Sequence, residues 1–376
     1  MKKYKILIIA GTDLNNKTNG SVKVLLNYLG FIPSNIEVDI INIGEKYESE
    51  AKNIHTIRNI KNDYFLKKKI KFIPIVSVAY NVLEKNKKIK NLITSLNKIE
   101  KYDLVYYHDT AILNYCDLKK KSIANFIDLQ SQNNKLYYKN EKNILKKLYF
   151  LKEKFLCEFF EKKFINKFEK IILVNEKEKD LANEKFKTNK FLNIPIGIPI
   201  GDVVLSNKKL SKNINLVFIG NMRFKPNKDG ILYFYENYFK KLPENYTLNI
   251  VGPNNDSIEI DDQRVKKIGF VNNLDEFLEN MDFGIAIMIN GAGQKTKILD
   301  YLSRGLPTFI NNFTYENNYF DSDYIYNVND FKELIDKIEK MEIIKREEIK
   351  KSVLKYSDKN SAKSFWEIIE DTLIRK

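Results

Sequence analysis

The sequence predicts an α/β protein of two doubly wound parallel sheets, and three observations lead there. Continuous apolar runs such as YKILIIAG (4–11), NLVFIG (215–220) and FGIAIMI (283–289) mark strands covered on both faces, because a strand with one face in water would alternate instead. These runs alternate with stretches of helical periodicity, the rhythm of β-α-β units. The rhythm breaks once, at NIPIGIPIGDVVLS (193–206), where proline and glycine punctuate without a helix or clear strand, and then restarts.

In the first half, YKILIIAG leads into a polar loop, TDLNNKTNG, and a helix from Ser21 to about Leu29. EVDIINI (37–43), YDLVYYH (102–108), IANFIDL (123–129) and KIILVN (170–175) supply further strands. The segment 119–170 is lysine-heavy with aromatics interleaved, so a helix there is amphipathic and basic, suited to a membrane surface or a partner. In the second half NLVFIG is followed by a helix at 228–241, TLNIVG (247–252), VKKIGF (265–270), a helix at 273–280 and FGIAIMI. The last segment opens with a cap near Ser357 or Asp358 and sets Phe365, Ile368, Ile369 and Leu373 on one side, which predicts a helix packing back on the first domain. The expected organisation is a domain over 1–200, a second over 206–355 and a returning helix over 356–376.

A chain of 376 residues exceeds one ordinary core, and a hydrophobic content of 43% with 24 phenylalanines fills two. The formal charge of +15 suits nucleic acid, anionic lipid or phosphorylated small molecules and does not choose among them. Two cysteines, Cys116 and Cys157, are too few for a disulfide framework or a cysteine-rich zinc site. The apolar stretch at the start is too short for a signal peptide, and no run reaches the ~18 apolar residues of a membrane span. These features predict a cytoplasmic protein with peripheral contact at the inner membrane face.

Chemistry concentrates in GAGQKTKILDYLSRGLPTFI (291–310), which spends three of only 14 glycines. A polar glycine loop runs into Lys295 to Ser303, where Ile298, Leu299 and Leu302 repeat at helical intervals before Gly305 and Pro307 stop the helix. The loop therefore follows a parallel strand at its carboxyl end, where open α/β sheets bind ligands. Lys297, Asp300 and Tyr301 fall at i, i+3 and i+4 and share a face. A cation near a phosphate and a carboxylate one turn on, placed for ribose hydroxyls, would hold a nucleoside diphosphate. Taken alone, the stretch fits equally a capped helix with solvated charges.

Two such halves, a Pro/Gly linker, a basic element after the second half's first strand and a glycine loop with an acid-bearing helix together resemble the GT-B fold glycosyltransferases. The similarity is to the large family 4 of retaining, nucleotide-sugar-dependent enzymes, and it is strongest over 215–310. It implies two Rossmann-like domains facing across a cleft. In FIGNMRFKPNKDGILYF (218–234), Gly220, Arg223 and Lys228 match the element that serves the diphosphate. In the loop and helix, Gly293, Gln294, Lys297 and Asp300 match the donor site, with Asp300 at the ribose hydroxyls and Lys297 facing the phosphates. In the first domain TNGSVKVLLNYLG resembles the family's glycine loop, with Gly20 as the close-approach glycine. His108, ending the strand YDLVYYH, stands where the family has an active-site histidine that orients the sugar, and Asp128 is a candidate for holding the acceptor.

The sequence departs from the family at one acid. The family often carries two glutamates with seven residues between them, but Ala292 stands at the first position and Asp300, a shorter acid, at the second. A branch that makes surface polysaccharide has a comparable small loop with glutamine and lysine. The implied reaction is transfer of a hexose-type sugar from a nucleoside diphosphate sugar to a glycan or lipid-linked acceptor, with Arg223, Lys228 and Lys297 stabilising the leaving diphosphate. No metal or other cofactor is expected if these cations do that work, and Asp321-Ser322-Asp323 reads as two acids in a turn. A nicotinamide enzyme would need G-x-G-x-x-G where GTDLNN stands. Nucleic acid is not an expected partner, because no recognised binding motif accompanies the charge. The Ala292 departure keeps open a third class, a GT-B scaffold without turnover.

Overall fold

A computed structural model describes residues 2–16, 19–49, 51, 53–60, 91, 102–116, 120–201, 204–291, 295–316 and 320–374. The chain divides into two compact units, Met1–Gly197 with Asp358–Lys376, and Ile198–Ser357.

The first unit holds strands β1 (Tyr4–Ala10), β2 (Ile36–Ile43), β3 (Ile54–Ile60), β4 (Leu104–His108), β5 (Ser122–Ile127), β6 (Lys170–Leu173) and β7 (Phe191–Asn193). They form one parallel sheet in the order β3-β2-β1-β4-β5-β6-β7, with β4 in the middle and β1 beside it. Alternate residues of the apolar runs feed opposite cores. Leu7, Ile9, Val105 and Tyr107 pack on one face with Cys157 and Phe164, and Ile6, Ile8, Leu104 and Tyr106 on the other with Val22, Leu25 and Trp366. Burial on both sides is why these strands read as unbroken hydrophobic runs.

Helices α1 (Gly20–Leu29), α2 (Gln130–Asn140), α3 (Ile144–Ile165) and α4 (Glu176–Phe186) connect these strands. Asn19 caps α1 by accepting from Ser21 N, which places the helix start just past the polar loop. β3 was absent from the sequence reading because His55, Thr56, Arg58 and Asn59 make it polar, as an edge strand can afford to be. His55 lies in that strand, 3.8 Å from Glu37. β7 ends where the expected linker begins, and it too is an edge strand.

The second unit carries β8 (Lys208–Lys209), β9 (Ile214–Ile219), β10 (Tyr246–Val251), β11 (Val265–Gly269), β12 (Phe283–Ile285), β13 (Thr308–Ile310), β14 (Ile325–Asn327) and β15 (Ile343–Ile344). Six of them form a parallel sheet in the order β11-β10-β9-β12-β13-β14, and β8 pairs antiparallel with β15. Its helices are α5 (Lys225–Asn237), α6 (Leu274–Glu279), α7 (Lys297–Leu302), α8 (Asn312–Glu316), α9 (Phe331–Glu339) and α10 (Arg346–Ser352). α5 starts three residues earlier than the periodicity suggests, since Pro226 suits the first helical turn. α7 is shorter than the expected 295–303.

The chain leaves the first unit at Gly197 and returns at Asp358, where a Cβ on Gly197 would sit 2.6 Å from the Asp358 Cα. Helix α11 (Asp358–Ile374) then packs on α1. Phe365 stacks on Tyr28 at 4.1 Å, and the Trp366 indole N–H donates to the Tyr28 carbonyl at 2.9 Å. Truncating a buried Trp removes both its packing and this bond, so Trp366→Ala should destabilise the first unit by about 3–5 kcal/mol. Urea unfolding followed by circular dichroism should show an early transition for that unit and an unshifted one for the other; a single unshifted transition would contradict the role given to α11.

Candidate functional site

In the second unit, three neighbouring strands end in glycine: β9 runs into Gly220, β10 into Gly252 and β11 closes on Gly269. The three are stitched side by side. Gly220 N donates to Val251 O at 2.9 Å, and Gly252 N to Gly269 O at 2.7 Å. Gly252 has φ +127°, and a Cβ there would lie 2.1 Å from the Gly220 carbonyl oxygen, so no larger residue fits. The result is a floor of bare backbone at the carboxyl edge of the sheet, the edge where such folds bind ligands.

One wall of this edge is the first turn of α5. Asn227 lies against Gly220, within 2.7 Å of where a Cβ would be, and its amide donates to Asn221 O at 3.1 Å. Its side-chain oxygen accepts from the Lys297 ammonium at 2.9 Å. Asp229, two residues on, accepts from Asn290 at 2.6 Å and from Lys225 at 2.5 Å. Gly291, at φ +99°, comes against the Pro226 ring, and its carbonyl accepts from Lys295 at 2.9 Å. The loop after β12 is thus held to the start of α5, which brings Gly220 and Lys297 together. Gly293 and Gln294, with Ala292, lie outside the described residues.

Lys297 has an unusual setting. Among the described residues its ammonium meets neutral groups: Asn227 Oδ1, the Met288 sulfur at 4.0 Å and the Phe218 ring at 3.8 Å. Burial, and then the neighbouring Lys295, pull its pKa from 10.5 to about 7 against the opposing pull of Asp300. Asp300 sits one turn further, partly exposed, with the Arg304 guanidinium at 3.8 Å. Tyr301 does not share their outward face as i, i+4 spacing suggests. It is fully buried, with its hydroxyl between Ile219 N and Ile285 O. Arg223 is exposed at the β9–α5 turn, and Lys228 donates to Ser257 O at 2.9 Å.

In the first unit, His108 ends β4 and is wholly buried. Its Nε2 lies 2.7 Å from the Ser21 carbonyl and 3.1 Å from the Ser21 hydroxyl, while Nδ1 lies 3.0 Å from the Tyr106 hydroxyl. This set fits a neutral ring donating from Nε2 and accepting at Nδ1. Burial lowers its pKa, against Asp109 and the Ser21 carbonyl. The histidine therefore fixes the first turn of α1, where Gly20 has no atom within 4 Å of a Cβ position and leaves backbone open to a ligand. Asp128 follows Ile127, which has φ +63°. Asp128 N donates to Phe126 O at 2.8 Å, a γ-turn of the strained hand on a β-branched residue. Asp128 is partly buried beside Glu178, whose pKa rises to about 8 through burial and then the Asp128 charge.

Sequence reasoning missed Ser21, Asn227, Asp229 and Lys295 as parts of these edges. Asparagine and lysine are so abundant in this chain that nothing in spacing singled them out. Among the described residues, no three His, Cys, Asp or Glu side chains group to hold a metal ion, and no helix is long and apolar enough to cross a membrane. Asp321 and Asp323 precede β14, at the opposite edge from the glycine floor, and Lys355 lies 3.6 Å from Asp321.

Residues 213–342, all within the second unit, match the family described as Glycosyl transferases group 1. A Klebsiella pneumoniae protein described as an uncharacterized 44.6 kDa protein in the cps region is 24% identical over 320 residues, covering 78% of this chain and 79% of its own. Among solved structures, Anabaena HepE in complex with UDP and glucose superposes with a TM-score of 0.60 at 12% identity, over 98% of this chain and 100% of its own. The lipopolysaccharide outer core galactosyltransferase WaaB superposes with a TM-score of 0.62 at 11% identity, over 98% and 99%. The parallel sheets, the glycine floor and these likenesses agree: the chain has the GT-B fold, and its second unit matches the group 1 glycosyl transferases.

Proposed function

We propose that this chain is a glycosyltransferase that moves a hexose-type sugar from a nucleoside diphosphate sugar to a hydroxyl of a glycan or lipid-linked acceptor in surface polysaccharide or glycoconjugate synthesis. The observation that carries the donor half is Lys297. A cation enclosed among neutral partners costs stability, and an anion brought alongside would offset that cost. The glycine floor at Gly220 lets a diphosphate approach backbone closely, and Asp300 stands one turn away for ribose hydroxyls. HepE binds UDP, which makes UDP the first nucleotide to try. The cps-region relative and the lipopolysaccharide enzyme support the polysaccharide setting.

In this reading the bond between the anomeric carbon and the diphosphate oxygen breaks with its electron pair going to the diphosphate. Arg223, Lys228 and Lys297 stabilise the charge that develops there, more in the transition state than in the ground state. Lys228 would exchange Ser257 O for phosphate. The acceptor oxygen bonds to the anomeric carbon on the departing face, giving retention, and its proton passes to a phosphate oxygen. Asp128 holds the acceptor. His108 acts through Ser21, keeping the Gly20 turn in place, and no metal is called on.

Two outcomes test the reading. UDP, GDP, CMP and their sugar conjugates, screened by thermal shift without added metal, should yield one selective stabiliser. Lys297→Ala and Asp300→Ala should each weaken it at least about tenfold, equivalent to ~1.4 kcal/mol. Anion binding raises the Lys297 pKa, so affinity should be flat below about pH 7 and fall as pH climbs above it. No shift with any nucleotide would sink the donor assignment.

The second outcome concerns the empty protein. The folded pKa of Lys297 lies below its unfolded value of 10.5, so folding must expel or bury a charge wherever the unfolded lysine is protonated. The penalty is full below about pH 7 and fades toward pH 10.5. Lys297→Met should therefore raise the unliganded Tm by roughly 2–4 °C near neutral pH, with a smaller gain at pH 9, while losing nucleotide stabilisation. A variant no more stable than the parent at pH 7 would mean the ammonium is already compensated.

A further inference from the structure

The helical pair α2 and α3 forms an arm whose outer face is unlike the rest of the first unit. The two helices run antiparallel. Ser131 N donates to Glu161 at 2.9 Å, Asn134 meets the Cys157 sulfur at 3.6 Å, and the rings of Tyr137 and Phe150 stand 5.2 Å apart. Ser131 lies four residues past the carboxyl end of β5 at Ile127, Cys157 and Phe164 join α3 to the core of the sheet, and the part of α3 before them, from Ile144, is roughly 20 Å long.

The buried side of α3 is Glu153, Cys157, Glu161 and Phe164. On the opposite side Ile144, Leu148, Phe155 and Phe159 recur at i, i+4, i+11 and i+15, one stripe of a 3.6-residue period. They are 69%, 56%, 58% and 64% exposed, with Leu145 beside them at 74%. A solvent-facing stripe of large apolar side chains has no folding use where it stands. By the same period, Lys147 and Lys154 flank it on one side and Lys163 on the other, with Lys162 continuing the line, while Lys152 pairs with Glu153 at 3.1 Å. The acids of the helix are withdrawn: Glu153 and Glu161 point inward, and Glu158 lies 3.0 Å from the Lys185 ammonium.

From this face we infer that α3 docks the protein on an anionic lipid bilayer, lying in the interface with its apolar stripe among the acyl chains and its lysines at the headgroups. Lysines on both flanks of an apolar centre match a negatively charged surface. They oppose a second copy, because pairing the same face with itself would set lysine against lysine. Because the arm rises from the carboxyl edge of the sheet, near Asp128, the docked face would bring that edge to the membrane. Of the two acceptors proposed above, it selects the lipid-linked one. The inference rests on the exposed helix and stands apart from the donor site.

The test is co-sedimentation with vesicles of phosphatidylcholine alone or mixed with phosphatidylglycerol, using the full chain. The parent should sediment with the mixed vesicles, weakly with the neutral ones, and less as salt rises. Leu148→Ser/Phe155→Ser/Phe159→Ser should weaken binding by at least about tenfold, and Lys154→Glu/Lys162→Glu/Lys163→Glu by more than about fivefold per lysine. These positions are surface ones, so unchanged circular dichroism is expected, and Lys297→Ala should bind vesicles like the parent. The inference fails if the parent stays in the supernatant with phosphatidylglycerol present. It fails too if both triple variants bind as well as the parent, or if the serine variant only converts a dimer to a monomer in light scattering.

Discussion

The Tyr301 hydroxyl sits where β9 and β12 have stopped pairing directly. Their register ends at Gly284 and Val217, and beyond it the phenol accepts from Ile219 N at 2.7 Å and donates to Ile285 O at 3.2 Å. Burial pushes the phenol well above its ordinary range, so it stays neutral and keeps a proton to donate. Room for the ring comes from Gly284, where a Cβ would lie 2.3 Å from it. One side chain thereby closes the sheet, orients α7 and sets Lys297 and Asp300 one turn apart at the glycine floor. A six-residue helix has little stability of its own, so its position depends on such tertiary ties.

The first unit uses the same device with different chemistry. His108 ends its central pair of strands and reaches into the first turn of α1, as Tyr301 reaches back from α7 into the sheet. In each case a buried polar side chain with its hydrogen bonds made fixes a glycine-bearing turn at the carboxyl edge. The groups proposed to meet the donor, Gly20 in one unit and Gly220 with Lys297 in the other, can then stay open or unbalanced because their supports are not. Strain is placed likewise: Asp109 and Ile127 both have positive φ, and both stand at that same edge of the first sheet.

The sequence showed the parallel strands that are buried on both sides, since burial leaves a run such as ILIIA or LVFI with no polar break. It hid β3 and β14, at the edges of their sheets, where polar side chains are tolerated and the run dissolves. Lys297 and Asp300 were legible because helical spacing and a glycine loop isolate them. The partner that matters most to Lys297 was not. Asn227 lies 70 positions away and is one asparagine among many; only the fold shows that it bridges Gly220 and the lysine. Helical spacing also misjudged Tyr301, since i and i+4 share a face only as far as the side chains do not turn inward to a sheet.

The arm over the first sheet is held by carboxyl groups rather than by a side-chain cap of its own. Leu129 offers α2 no such cap; instead Leu129 N donates to Glu178 at 3.0 Å and Ser131 N to Glu161 at 2.9 Å. Burial, and then the charge of Asp128, raise the pKa of Glu178 to about 8, with Glu161 adding a smaller push. The folded state holds that proton more tightly than the unfolded chain does, so this group costs stability increasingly as pH rises from 4.5 toward 8. Hydrogen bonds to helix amides partly offset the burial, and they join α2, α3 and α4 at one point on the carboxyl edge. A helix meant only to cover the sheet needs no such junction, because its apolar face would suffice. The two acids fix the base of the α2–α3 pair there.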